Sequence, residues 1–216
     1  MTTAQIRNLG LDNYFEVTTL NAPLHCSGDD VDESVRSLCP AGPFYSWIDR
    51  DGDQIPNLVA SLRYVLTHIQ NQGPYDAVYG FSHGAGIVAL LSCPQIREQL
   101  GEPQGHTAPW KFIFAACATF PLPTQEILRH FGLHDSAMDL SIPIAHMIGI
   151  EDPLKTKSEG FLETVEGSEH SPLSLVSYFE GGHEISSETP NIKNVASGAI
   201  DWFSKHCPQD LNLSAS

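Results

Sequence analysis

Tyr75-Asp76-Ala77-Val78-Tyr79-Gly80-Phe81-Ser82-His83-Gly84-Ala85-Gly86 is the stretch on which the fold turns. Tyr75 to Gly80 follows a Gly73-Pro74 break and is rich in aromatic and β-branched residues, so it reads as a short strand. Gly84 to Leu91 is packed with Ala, Ile, Val and Leu and reads as the start of a buried helix. Between the two lies G-x-S-x-G, centred on Ser82. A strand that turns at once into a helix forces the turn residue into a strained backbone conformation. Small residues two positions to either side, here Gly80 and Gly84, let the two backbones pass closely. The serine Oγ is then presented at the C-terminal edge of a sheet, and the N–H of His83 points to where an oxyanion would form. The pentapeptide alone is weak, since composition supplies about 0.1 copies by chance in such a chain. Its context raises it, because a strand precedes it and an apolar helix follows. The bland alternative is a glycine-rich turn with an incidental serine.

Outward from this turn, strand-like and helix-like segments alternate. Phe15 to Leu20 reads as a strand ended by Asn21-Ala22-Pro23. Gln54 to Gln72 carries Ile55, Leu58, Leu62, Val65, Leu66 and Ile69 at helical spacing, with Gly73-Pro74 as its stop. Phe112 to Cys117, Ile142 to Ile150 and Leu175 to Phe179 read as further strands, the first apolar throughout and so covered on both faces. Ile192 to His206 reads as a closing helix. This rhythm predicts an α/β fold with a mostly parallel central sheet and helices on both faces, as one domain over 1–216. Leu24 to Asp53, Pro94 to Pro109 and Pro121 to Ser141 are long for simple connections, and such insertions commonly build a substrate site.

Composition narrows the function. The chain has 216 residues, with 26 acidic against 11 basic side chains and a formal charge of −15 at pH 7. So negative a surface repels phosphate backbones and anionic headgroups, which argues against nucleic-acid and membrane-surface roles. No apolar run reaches the roughly 18 residues needed to span a bilayer, and the first residues lack the apolar core of a signal peptide. Cys26, Cys39, Cys93, Cys117 and Cys207 are odd in number and widely spaced, which predicts free thiols in a reducing, cytoplasmic setting. The sequon Asn212-Leu213-Ser214 is then idle.

A serine nucleophile needs a base, and the base an orienting carboxylate. On a sheet of this kind they follow in the order Ser, Asp or Glu, His, each at the C-terminal end of a strand. His183 meets the condition: the strand ends at Phe179 and Gly181-Gly182 make the loop beneath it. Asp152 meets it after Ile142 to Ile150, with Glu151 the runner-up. Asp135, Asp139, His130, His134, His170 and His206 lack strand-end placement. Phe44, Tyr45, Trp47 and Phe120 are candidates for an acyl pocket, although aromatic residues more often fill a core.

With these residues in place, the sequence resembles the FSH-type serine hydrolases of the α/β-hydrolase superfamily. The likeness rests on Gly73 to Ala85, on Ala41-Gly42-Pro43-Phe44-Tyr45-Ser46-Trp47, on Ile150-Glu151-Asp152-Pro153-Leu154 and on Gly181-Gly182-His183, and runs from about residue 4 to residue 206. It implies an intracellular hydrolase of carboxylic esters or thioesters, acting on a small-molecule substrate, with Ser82, His183 and Asp152 as its triad and no metal or organic cofactor. Departures are visible. His83 stands where the family has glutamine, and Asn21 and Leu24 replace the acid and histidine of its D-A-P-H segment. The family opens with a strand carrying L-H-G, whose loop gives the second oxyanion N–H. No Leu-His-Gly occurs here, and Met1 to Leu9 resembles the helix after that loop. The expected fold therefore lacks the N-terminal strand. Such a fold leaves an unpaired edge, invites a homodimer, and keeps open a catalytically impaired or purely binding protein on a hydrolase scaffold.

Two decoys fall on spacing. Asp49-Arg50-Asp51-Gly52-Asp53 lacks the glycine at the sixth place and the glutamate at the twelfth that a calcium loop needs. His130 and His134 have the spacing of H-E-x-x-H without its glutamate.

Overall fold

A computed structural model describes residues 2–31, 36, 42–49, 51–105, 107–133, 138, 140, 142–166 and 174–206. Cys39, Arg50, His134, Asp135, Asp139, His170, Cys207 and the sequon at 212–214 lie outside the described residues. In chain order the elements are α1 (Thr2–Leu9), β1 (Leu24–Cys26), β2 (Phe44–Ser46), α2 (Gln54–Gln72), β3 (Ala77–Phe81), α3 (His83–Ser92), α4 (Pro94–Gln99), β4 (Phe112–Ala116), α5 (Thr124–His130), β5 (Ile144–Gly149), α6 (Lys155–Glu166), β6 (Ser174–Phe179) and α7 (Ile192–His206).

Strands β3, β4, β5 and β6 form one sheet in that spatial order, every pair parallel. Parallel neighbours need a crossover, and α3, α5 and α6 lie in the three connections. All C-terminal strand ends therefore share one edge, which gathers Ser82, Cys117, Asp152 and His183 although they are far apart in sequence. Successive residues of β4 face opposite ways. Phe112, Phe114 and Ala116 join Ile6, Leu9, Met147, Phe179 and Phe203 beneath α1 and α7. Ile113 and Ala115 join Leu58, Leu62, Ile87, Leu91, Phe161 and Val165 beneath α2, α3 and α6. Two apolar layers thus cover the sheet, as the uninterrupted apolar run of β4 predicts. Among the described residues, no helix is long and apolar enough to cross a membrane.

One expectation fails. Phe15 to Leu20 is not a strand but an irregular, largely exposed segment. Its β-forming residues have no strand to pair with. In β3, the Ser82 N–H donates to the Ala116 carbonyl at 3.0 Å, and the Asp76 carbonyl accepts from Lys111 at 3.0 Å. Even-numbered positions thus bond to β4, so the N–H and C=O groups of Ala77, Tyr79 and Phe81 point away from it. Among the described residues no strand meets that edge. A cavity of about 940 Å³ lies there, lined by both Phe15 to Leu20 and Ala77 to Phe81.

The supposed insertions hold regular pieces as well. β1 and β2 form an antiparallel ribbon within Leu24 to Asp53, α4 lies within Pro94 to Pro109, and α5 within Pro121 to Ser141. Three-residue strands and helices of under two turns are too short to show a period. Asp53 sits at the N-cap of α2 without a capping side-chain bond, and Asp49 accepts from the Asp51 N–H at 3.1 Å. The acidic stretch is a turn that leads into a helix.

Candidate active site

The turn between β3 and α3 holds Ser82 at φ 52°, ψ −125°. A non-glycine residue at positive φ costs of order 1–3 kcal/mol and persists where its surroundings over-determine it. Here they do. Ser82 donates its N–H to Ala116 of β4, and its carbonyl accepts from Ala85 at 3.0 Å and from Thr119 at 3.3 Å. Gly80 permits the tight passage, because a Cβ there would lie 2.5 Å from Ala85 Cα. His83 opens α3, where backbone N–H groups have no carbonyl a turn earlier to bond within the helix. Its side chain is exposed.

The other two residues arrive on neighbouring strand ends. After β5, Asp152 is turned inward, its N–H bonding to the Gly149 carbonyl at 3.3 Å. After β6, Gly181 and Gly182 bring the chain against Gly149, and the Glu151 N–H donates to the Gly181 carbonyl at 3.0 Å. This clamp delivers His183. Its Nε2 lies 2.9 Å from Ser82 Oγ and its Nδ1 2.8 Å from Asp152 Oδ2. The Leu154 N–H donates to the other carboxylate oxygen at 2.6 Å. The Asp152 side chain is fully buried and that of His183 is 23% exposed, so solvent reaches the imidazole and not the acid.

Polarity along this relay follows from chemistry. A carboxylate can only accept, so His183 Nδ1 carries the hydrogen and Nε2 is left as the acceptor for the Ser82 hydroxyl. A hydroxyl so held can lose its proton to the imidazole as its oxygen attacks an electrophile. Ser82, His183 and Asp152, chosen from the sequence, are brought together. Glu151, the runner-up acid, is exposed. His130 lies at the end of α5, its ring against Phe131.

Phe44, Tyr45 and Trp47 line the cavity along β3, together with Phe81, Gly84 and Ile87. Trp47 Nε1 stands 3.9 Å from where a Cβ on Gly84 would be, which puts the indole beside the helix that opens at Ser82. Phe120 does not line that cavity. Its ring packs on Phe161 at 4.9 Å, at the margin of the core layer under α6.

Sequence reasoning passed over one neighbour. Cys117 follows β4 and is fully buried, at φ 45°. Its Sγ, a carboxylate oxygen of Asp152 and a ring nitrogen of His183 all lie within 4.8 Å of one another. Burial, and next the Asp152 charge, push the thiol well above the ordinary range, so it stays neutral. A usable signal was present: the residue that follows an all-apolar strand stands on the same sheet edge as Ser82.

Comparison with known proteins finds esterases and serine hydrolases among those similar to this chain. Esterase FUS5 of Gibberella fujikuroi (strain CBS 195.34 / IMI 58289 / NRRL A-6831) is 27% identical over 160 residues, covering 72% of this chain, and the chain spans 60% of that esterase. Family of serine hydrolases 2 of Saccharomyces cerevisiae is 23% identical over 209 residues, covering 93% of this chain and 86% of its own length. The solved structure of esterase B from Lactobacillus rhamnosis superposes with a TM-score of 0.50 at 18% identity, over 75% of this chain and 64% of the esterase, a likeness of fold. The profile of the family described as serine hydrolase (FSH1) matches residues 1–195, and the chain belongs to that family.

Proposed function

We propose that the protein hydrolyses a carboxylic ester or thioester of a small molecule through an acyl-enzyme intermediate. The observation that carries this reading is the relay itself: Ser82 Oγ at 2.9 Å from His183 Nε2, and Nδ1 at 2.8 Å from a buried Asp152. Ser82 Oγ attacks the carbonyl carbon and forms the new C–O bond. His183 takes the hydroxyl proton and returns it to the leaving alcohol or thiol. Asp152 fixes the imidazole tautomer and stabilises its charged form. Water then repeats the sequence on the acyl-enzyme, and the acid is released. The His83 N–H is the oxyanion donor on this reading. Phe44, Tyr45 and Trp47 supply apolar surface for the acyl group.

The test is covalent and kinetic. A fluorophosphonate probe is expected to label the native protein once, at Ser82, and Ser82→Ala is expected to abolish both labelling and turnover of short acyl esters. Turnover that survives in Ser82→Ala sinks the reading. A second reading, a binding protein on a hydrolase scaffold, is favoured by the edge of β3 that no strand meets among the described residues. A folded protein that stays unlabelled supports it.

A further inference from the structure

Cys117, Asp152 and His183 present sulfur, oxygen and nitrogen donors, all within 4.8 Å of one another. Two of the three are on rigid ground: Cys117 at the end of β4 and Asp152 just past β5, each buried. The thiol is held there against its backbone preference, since few side-chain residues adopt φ 45°. Its Sγ also lies 3.9 Å from the Gly182 carbonyl oxygen, a long contact for a thiol donor.

From this convergence we infer that Cys117, Asp152 and His183 form a site for a thiophilic divalent cation, and that its occupation shuts the Ser82 relay. The cation is an inhibitor rather than a cofactor. Zinc fits the donor set, as it takes thiolate, imidazole and carboxylate together in a tetrahedral arrangement and can keep a water in the fourth position. Its bond lengths of about 2.0–2.3 Å place such donors roughly 3.5 Å apart, so closing the site asks for a shift of about 1 Å from the widest separation. A rotation at Cys117 and a small advance of the His183 loop supply it. The charges balance simply. The Cys117 thiol releases one proton to solvent, the sulfur, a carboxylate oxygen and one ring nitrogen bind the metal, and the remaining imidazole proton sits on the other nitrogen. If Nδ1 binds, the proton moves to Nε2, which can no longer accept from Ser82. If Nε2 binds, the metal stands in the serine's place. Either arrangement stops proton transfer.

Only the inhibitory consequence rests on the hydrolase reading, so binding is measured in a Ser82→Ala background, where no turnover is needed. Cobalt(II) in this background is expected to give a thiolate-to-cobalt charge-transfer band at one equivalent. Zinc is expected to bleach it and to release one proton. Cys117→Gly, which suits the positive φ, and Cys117→Ser, which keeps the volume, are each expected to abolish the band and to weaken zinc binding at least tenfold. In the active protein, zinc is expected to inhibit ester turnover, and both Cys117 variants to resist it, each scored against its own metal-free rate. A folded Ser82→Ala protein without the band overturns the site. So does equal zinc affinity in the parent and both Cys117 variants. A protein that binds zinc through Cys117 yet turns over no ester keeps the site and loses the hydrolase reading.

Discussion

Gly149 and Gly182 meet so closely that a Cβ on Gly149 would lie 2.5 Å from the Gly182 carbonyl oxygen and 2.6 Å from that of Gly181. This contact sets the spacing of the proposed acid and base, because Asp152 follows Gly149 by three residues and His183 follows Gly182 directly. No side chain other than glycine's fits, and the atoms in the way are backbone. Gly149→Ala is therefore expected to push the His183 loop outward. Overpacking of this kind costs about 1–3 kcal/mol, and a displacement of about 1 Å at a reacting group costs about 10²-fold in rate. Urea unfolding and kcat measured on the same preparation check both. Parental stability together with parental kcat would show that the clamp does not position the relay.

The second prediction concerns the buried carboxylate. Asp152→Asn keeps size and shape but can donate from its amide, which permits the tautomer with the hydrogen on Nε2. The Ser82 hydroxyl then faces a donor instead of an acceptor. A fall in kcat of about 10⁴-fold is expected, as in comparable relays, with KM little changed. Steady-state kinetics above and below KM separate the two. A fall under tenfold would mean that Asp152 does not fix the imidazole.

Much of this arrangement was legible because its signals are local. Gly80, Ser82 and Gly84 fall within five residues, and the flanking apolar runs identify strand and helix without further context. Asp152 and His183 were found through one rule, that chemistry in a parallel sheet collects at the C-terminal strand ends. Gln54–Gln72 was readable to the residue because nineteen residues carry a clear period. Phe15 to Leu20 misled for a physical reason: β propensity records fit to a pleated neighbour, and that segment has none. The β1–β2 ribbon and α5 were too short to show a period. His146 could not be weighed at all, since what matters about it is what surrounds it across the sheet.

His146 carries the third prediction. It lies on β5, 1% exposed, its ring 5.8 Å from that of Phe161, and among the described residues its Nε2 has no hydrogen-bond partner. Burial lowers its pKa to about 3. The folded protein therefore keeps His146 neutral where the unfolded chain takes up a proton. Its contribution to stability is complete above about pH 6.5, the ordinary value for an unfolded histidine, and is lost as pH falls from there to about 3. The slope is roughly 1.4 kcal/mol per pH unit for this one group. His146→Leu removes it. Urea midpoints at pH 7 and pH 4.5 are expected to differ less in His146→Leu than in the parent. Equal differences would mean that His146 titrates normally in the fold.

The last prediction separates the two glycines of the serine turn, which look equivalent in sequence. A Cβ on Gly80 would stand 2.5 Å from Ala85 Cα and 2.7 Å from Ala85 N. Those atoms belong to the first turn of α3, whose carbonyl-anchored start also holds Ser82, so the clash cannot be relieved without moving the serine. Gly80→Ala is expected to cost at least about 2–3 kcal/mol, at the upper end of overpacking, and to lose fluorophosphonate labelling even where the protein stays folded. Gly84 meets only Trp47 Nε1, at 3.9 Å, an ordinary contact. It lies inside a helix, where alanine is better than glycine by about 1 kcal/mol. Gly84→Ala is therefore expected to be as stable as the parent or more so and to label normally, with any change confined to KM through the added methyl beside Trp47. Circular dichroism melts and probe labelling on the pair decide the matter. Equal damage at both positions would mean that the pentapeptide is held by its flexibility and not by the approach of Gly80 to Ala85.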